Sequence, residues 1–510
     1  MVLTAVSLTA CMEDALEKRP TTAVSGSSMF DNATAALVPL NGIYSAMHTT
    51  GWTTDGDRPH NWAVRADMLA GEVMGDDLVI FARGSGYFWR DHSYTMKERW
   101  TLTSSRSYVI WYGYYTYIAN ANYIIAAEET MQGAEADVNY VIGQAYAIRA
   151  FSYFYLARWF SRTYKGHENE PCVPIYTEPS VAGTQGKGRA TVQEVYDLIV
   201  SDLDKAIAKL ENTYAQTHIS HLDYCAVNGL RAQVALEMND WAKAAACAHT
   251  ARRNTQIGEG SDLTDGMNAT TYKNVMWGVV NTIDKIHYQR TLFAHMDYGA
   301  DRGYTTAYGD RDPKYTTPWL YNKMGENDIR RAWWNPIPQS KIEGGYGYWQ
   351  DKFRYKDPVT YTGDYIFMRN EEMLLIEAEA LCRQGRDEEA RSLLMELMAK
   401  RDPDYTCTKT GSELGALTTD LTGSLLEEIL IQKRIELWGE IGRIFEIKRL
   451  KQGFERTAEQ GFEARAVSAV MGNTQNPESY IWVMPIPQQE FNGNTSLDLS
   501  RDQNPLNDGI

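Results

Sequence analysis

FMRNEEMLLIEAEALCRQGRDEEARSLLMELMAKR, Phe367 to Arg401, and HLDYCAVNGLRAQVALEMNDWAKAAACAHTARRN, His221 to Asn254, carry the same pattern. Each begins as an Ala-rich amphipathic helix and turns tightly, at Gly385-Arg386 in one and Asn239-Asp240 in the other. Each then enters a second helix that opens on acidic, basic and Ala residues. The small residues Ala232, Ala235, Ala378 and Ala380 allow paired helices to approach closely, since interaxial distance follows side-chain size at the contact. These are two antiparallel helical hairpins in one chain.

Such pairs resemble the tetratricopeptide hairpin. Long insertions break the period, so a clean solenoid is not expected. Further helices surround the pairs. In TVQEVYDLIVSDLDKAIAKL, from Thr191, residues Val192, Val195, Tyr196, Ile199, Leu203, Ile207 and Leu210 recur at three-four spacing on one face. Thr191 and Glu194 have the spacing of a capping box that starts this helix. Ser424 and Glu427 have the same spacing and open a helix through Trp438. Asn139 to Phe160 is apolar on most sides, the pattern of a helix buried between neighbours. Ser104 to Glu129 predicts one more. Arg443, Glu446 and Arg449, like Glu377 and Glu379, sit at helical spacing among apolar residues and read as structural ion pairs.

Between Asn254 and about Tyr365 no amphipathic period survives. Gly, Asp, Pro and Tyr are frequent, which predicts loops with short strands. The whole chain holds 32 Tyr and 14 Trp among 510 residues. Amphipathic rings of this kind suit a surface that binds something. Many fall in this stretch and in a second irregular one, from Gly51 to Trp100. The formal charge is −16, from 50 Lys and Arg against 66 Asp and Glu. That balance argues against nucleic acid or anionic lipid as the main partner, because both require a positive field.

The first ten residues, MVLTAVSLTA, are uncharged and mostly apolar. They are shorter than the roughly 20 residues that span a bilayer. They read as the end of a signal segment, and Leu8-Thr9-Ala10-Cys11 resembles a bacterial lipobox. Residues 1–10 are then a signal remnant, 11–28 a tether lipidated at Cys11, and 29–510 a single folded domain. Lipidation would anchor the chain without a span. The other cysteines, Cys172, Cys225, Cys247, Cys382 and Cys407, are irregularly spaced and contain no C-x-x-C pair, so a zinc or redox motif is unsupported.

The order of features resembles the SusD/RagB family of outer-membrane nutrient-binding lipoproteins from Bacteroidetes. The resemblance rests on Cys11 and SSMFDNATAALVPLNGIYSAM, followed by AIRAFSYFYLARWFSRTYKG, VPIYTEPS and RATVQEVYDLIVSDLDKAI. It continues through ALEMNDWAKAA, RNEEMLLIEAEAL, ILIQKRIELWGEIGRIFEIKRL and PIPQQEFNGN. It implies a mainly α, SusD-like fold of tetratricopeptide-like helix pairs supporting a large loop-rich face with short strands. The scaffold would take about 29–50, 101–254 and 366–452, and the binding face about 51–100 and 255–365. It further implies an outer-membrane, surface-facing location and a SusC-like TonB-dependent transporter as partner. The usual cargo would be an oligosaccharide or polysaccharide.

No His-Glu-x-x-His or Gly-x-Ser-x-Gly motif is present, and Gly183 to Gly188 lacks the spacing of a phosphate loop. His218 and His221 are the one close histidine pair considered for metal, and the expectation is no metal, no cofactor and no catalysis. An acidic chain offers many carboxylate pairs for a glycosidase, so a hydrolase stays open, as do peptide binding and a scaffold whose aromatics contact the transporter. A pyranose packs its C–H face on a Tyr or Trp ring and needs polar side chains for its hydroxyls. The candidate ligand residues are therefore Asp77, Arg83, Tyr87 and Trp89 in the first irregular stretch. In the second they are Tyr298, Tyr304, Tyr308, Trp319, Trp333 and Trp334. Adjacent Trp333 and Trp334 should point differently, leaving one to face solvent unless a loop covers it.

Overall fold

The computed structural model describes residues 28–49, 59–80, 87–213, 216–285, 289–337 and 347–506. Cys11 and Arg83 lie outside the described residues, as does the expected tether. The helical scaffold begins with α1 (Ala33–Ala46) and α2 (Val64–Val73). Three long helices follow: α3 (Arg106–Ala126), α4 (Glu135–Phe160) and α5 (Val192–Leu210). Helix α4 packs against both α3 and α5, which accounts for its apolar residues on every side. Ser105 caps α3, its side chain accepting from the Tyr108 N–H. The Thr191–Glu194 capping box is complete at the start of α5.

Both hairpins are present. Helix α6 (Tyr224–Glu237) pairs with α7 (Trp241–Ala251), and α8 (Asn370–Arg383) pairs with α9 (Asp387–Met398). Helix α8 also packs on α7, so the two hairpins stack. The turn at Gly385 takes a left-handed φ of 73°, a conformation that costs glycine little. Helix α10 (Leu425–Glu436) starts at Ser424, but only half of its capping box forms. The Glu427 carboxylate instead accepts from the Thr422 and Gly423 N–H groups. Helix α11 (Arg443–Leu450) follows a turn and packs on α2.

The irregular segments contribute short strands, but the first, 51–100, also carries the buried helix α2, which its composition did not reveal. Leu78–Ile80, Lys314–Thr316, Trp349–Gln350 and Trp334–Asn335 are neighbours, in that order, in one antiparallel sheet. Val275–Val279 pairs with Tyr365–Arg369 in a second. Among the described residues no helix is long and apolar enough to cross a membrane.

Two buried charge clusters hold the loop layer on the helices. In the first, Glu436 at the end of α10 accepts from Arg369 at 2.8 Å, Arg401 at 2.8 and 2.9 Å, and Arg330 at 3.2 Å. Glu440 binds Arg369 at 2.7 Å and Lys352 at 2.5 Å, Glu371 binds Arg369 at 2.9 Å, and Asp328 binds Arg330 at 2.7 Å. Four cations thus face four carboxylates, which is what burial of charge requires. The second cluster joins Asp76 and Asp77 to Arg434 and Arg443, and continues through Glu446, Lys433, Glu379 and Arg449. The structural reading of Glu379, Arg443, Glu446 and Arg449 holds, and Glu377 pairs with Arg252 at 2.8 Å.

Burial alone would raise the Glu436 carboxyl, but Arg401 and Arg369 overcome this and hold it well below the usual range. Glu446 is likewise raised by burial and lowered more strongly by Lys433, Arg449 and Arg443, to about 2. A depressed folded pKa contributes stability that is present above the unfolded value and lost as pH falls through the folded one. Unfolding free energy should therefore decline as pH drops from about 4.5 towards 2. Glu446→Gln should flatten that limb in urea titrations, and an unchanged slope would refute the assignment. Glu436→Gln should cost about 3–5 kcal/mol at neutral pH, because it leaves buried guanidinium groups uncompensated.

Candidate functional site

A cavity of about 610 Å³ opens beside the short helix Trp89–His92. Tyr87, Phe88, Trp89, Arg90 and Asp91 form one side, and Arg99, Ser104, Ser105 and Arg106 continue it into the start of α3. Tyr308 and Arg311 come from the second irregular segment, more than two hundred residues later, and His60 completes the lining with Met96. The sequence reading placed Tyr87 and Trp89 in one candidate group and Tyr308 in another. The fold brings the three to one cavity.

The rings form an ordered wall. Tyr87 and Tyr308 meet edge to face with centroids 4.8 Å apart. His60 stacks on Tyr87 at 5.6 Å and His295 stacks on Tyr308 at 4.6 Å. Behind them His295 stacks on Trp62 at 5.9 Å and receives the edge of Phe88 at 5.1 Å. Burial pushes the His295 imidazole well below its ordinary value, with nearby Lys314 adding to the effect, so the ring is neutral at physiological pH. A neutral ring can remain in an aromatic stack without a counter-ion. Tyr87 is 37% exposed, and its ring is the most accessible of the wall.

Beneath the wall lies an ion cluster. Arg106 donates to both Asp91 oxygens at 3.1 Å, to Asp67 at 3.4 Å and to the His60 carbonyl at 3.2 Å. Its guanidinium lies 5.2 Å from the centre of the Phe88 ring. Burial pushes the Asp67 carboxyl up to about 7, although Arg106 opposes the shift. Both Asp91 oxygens thus accept from Arg106, while Arg90 and Arg311 are exposed at the rim.

Several expected ligand residues are corrected. Asp77 is buried and its carboxylate is held by Arg434 at 2.6 Å and Arg443 at 3.1 Å. It belongs to the core cluster and cannot reach a ligand. Trp333 and Trp334 are 1% and 2% exposed. They do point differently, but both directions are covered. The Trp333 N–H donates to the Leu263 carbonyl at 2.7 Å with Lys352 over its ring, and Trp334 packs edge-on against Trp438 at 5.5 Å. Tyr298 is also buried, against Trp349.

Tyr304 and Trp319 are half-buried and do not line the cavity. The Tyr304 hydroxyl donates to Asp297 at 2.7 Å and accepts from Arg302 at 3.1 Å, whereas Trp319 lies between Lys323 and Arg434 at 4.6 and 4.5 Å. The sequence reading did not select His60, Arg90, Arg99, Arg106 or Arg311, because nothing local distinguishes a cavity arginine from a solvated one. His221 bonds through both ring nitrogens, to Tyr140 at 2.9 Å and Asn41 at 2.7 Å, and so serves packing.

Comparison with known proteins agrees with this architecture. Residues 65–236 match the family described as "Starch-binding associating with outer membrane", and residues 345–506 match the SusD family. SusD-like protein P2 of Formosa agariphila is 25% identical, with 96% of each chain covered. SusD-like protein P38 of the same organism is 22% identical over 89% of this chain and 91% of its own. A SusD-like carbohydrate binding protein from Bacteroides vulgatus superposes with a TM-score of 0.74 at 23% identity, covering 92% of this chain and 98% of its own. A laminarin binding SusD-like protein gives 0.63 at 20% identity, covering 93% and 100%. Tyr308 and Arg311 fall between the two family matches.

The two kinds of ring separate experimentally. Trp334→Ala should cost about 3–5 kcal/mol of stability, as expected for a large buried side chain. Tyr87→Ala should change it by about 0.5 kcal/mol or less. Equal losses in thermal melts of the two variants would contradict this placement.

Proposed function

Because the chain belongs to the SusD/RagB family, we propose that it binds a glycan in the cavity beside Tyr87 and passes it on without altering it. The observation that carries this reading is the aromatic wall of Tyr87 and Tyr308, with Trp89 on the same cavity. An exposed aromatic ring presents a flat apolar face to which the C–H face of a sugar can dock. Guanidinium and hydroxyl groups from Arg90, Ser104 and Arg311 stand close enough to line the same space. A volume of about 610 Å³ suits a segment of a chain more than a whole polymer.

Binding without turnover is supported by the cavity's chemistry. Glycoside hydrolysis needs two carboxyl groups flanking the bond. Among the described residues lining the cavity Asp91 is the one acidic side chain, and Arg106 occupies both of its oxygens. The partner in this reading is a SusC-like TonB-dependent transporter in the outer membrane, with a lipid at Cys11 as the anchor. The laminarin-binding relative makes a polymeric glycan the first cargo to examine.

Tyr87→Ala and Tyr308→Ala should each weaken polysaccharide binding by about tenfold, equivalent to about 1.4 kcal/mol, in calorimetry or affinity gels. Binding that survives both substitutions would place the ligand elsewhere. Cys11→Ala should release the protein from membranes into the soluble fraction. Continued retention would exclude the lipid anchor. A substrate whose chain is shortened on prolonged incubation with purified protein would replace the binding reading with a hydrolase.

A further inference from the structure

We infer that the glycan taken by this cavity is anionic, carrying carboxylate or sulfate groups; this rests on the glycan-binding reading of the same site. The chain as a whole carries a formal charge of −16, so a cation-lined cavity departs from its average. Among the described residues lining the space are four arginines, Arg90, Arg99, Arg106 and Arg311, against one carboxylate, Asp91. Arg106 is committed to Asp91 and Asp67. Arg90 and Arg311 are exposed, and neither forms an ion pair with another described residue. One follows Trp89 directly and the other lies three residues beyond Tyr308, so both cations flank the aromatic wall.

The balance of donors and acceptors points the same way. A neutral sugar hydroxyl both donates and accepts, and its proton needs an acceptor on the protein. Among the described lining residues Asp91 is the one carboxylate, and each of its oxygens already accepts from the buried Arg106, whereas the exposed Arg90 and Arg311 bring donors alone. Guanidinium groups only donate, and their planar fork matches carboxylate and sulfate oxygens. A ligand group that accepts and carries negative charge therefore satisfies this lining better than a hydroxyl.

The test is affinity electrophoresis followed by calorimetry on the full chain. The acidic panel is polygalacturonate, alginate, heparin and chondroitin sulfate, and the neutral panel is starch, laminarin and xylan. Retardation by at least one acidic polymer is expected, with affinity that falls steeply as salt rises, because screening acts on exposed charge. The double variant Arg90→Ala/Arg311→Ala should lose at least about tenfold of that affinity, in line with charge-assisted hydrogen bonds. Arg90→Lys/Arg311→Lys should recover part of it, and matching thermal melts would exclude misfolding. Polygalacturonate or alginate as the binder would identify carboxylate as the recognised group, and binding of the sulfated polymers alone would identify sulfate. Binding confined to neutral polymers, or indifferent to salt and to both double variants, would overturn the anion preference and leave glycan binding standing. Silence across both panels would overturn both.

Discussion

Burial of Glu436 is the constraint on which the rest of the structure depends. Its carboxylate lies out of water and contacts Arg330, Arg369 and Arg401. These come from separate parts of the chain: Arg330 from the irregular segment, Arg369 from the strand that leads into α8, and Arg401 from just beyond α9. A carboxylate costs too much to bury alone, and three guanidinium groups cost too much without it. The cluster is therefore stable only when all these segments arrive together. Such a device adds specificity of arrangement more than net stability, since apolar packing of equal volume would often do as well energetically.

The same constraint reaches the cavity through the second cluster. Asp76 and Asp77 precede the strand Leu78–Ile80, and Arg434 and Arg443 fix them to α10 and α11. Arg65, on α2, donates to the Gly439 and Glu440 carbonyls just beyond α10. Asp67, on the same helix, meets Arg106 at the floor of the cavity. Helix α2 thus faces the charge network on one side and the ligand space on the other. The aromatic wall rests on a base that cannot shift without breaking buried ion pairs, which favours a site whose shape precedes its ligand.

Helices were legible in the sequence because their signals are local. The three-four period, the Thr191 cap and the Gly385 turn each lie within a few residues of what they specify. The ion pairs of α11 were legible too, since charges amid an apolar helix have few other uses. Ring exposure was not legible. Tyr87 and Trp334 were both picked as ligand rings, yet Trp334 is covered by Trp438 from just beyond α10 while Tyr87 is exposed at a cavity, and Trp89 on the same cavity is itself largely buried. Asp77 looked like a hydroxyl partner because Arg434 and Arg443, which neutralise it, stand more than three hundred residues away. In each case the deciding contact was tertiary.

The cavity is assembled from two parts of the chain that lie far apart in sequence. Tyr87 through Arg106 fall within the first family match, whereas Tyr308 and Arg311 lie in the stretch between matches. Family membership alone cannot name the ligand. What can is the chemistry of the lining. An aromatic face holds almost any pyranose, because every such ring has a C–H surface to stack. Discrimination must come from groups that would be left unsatisfied by the wrong ligand, since an unpaired polar group costs more than a paired one gains. Arg90 and Arg311 stand exposed at the rim beside the rings, so under the proposed anionic-glycan reading charge is the selective element of the site and the rings supply adhesion.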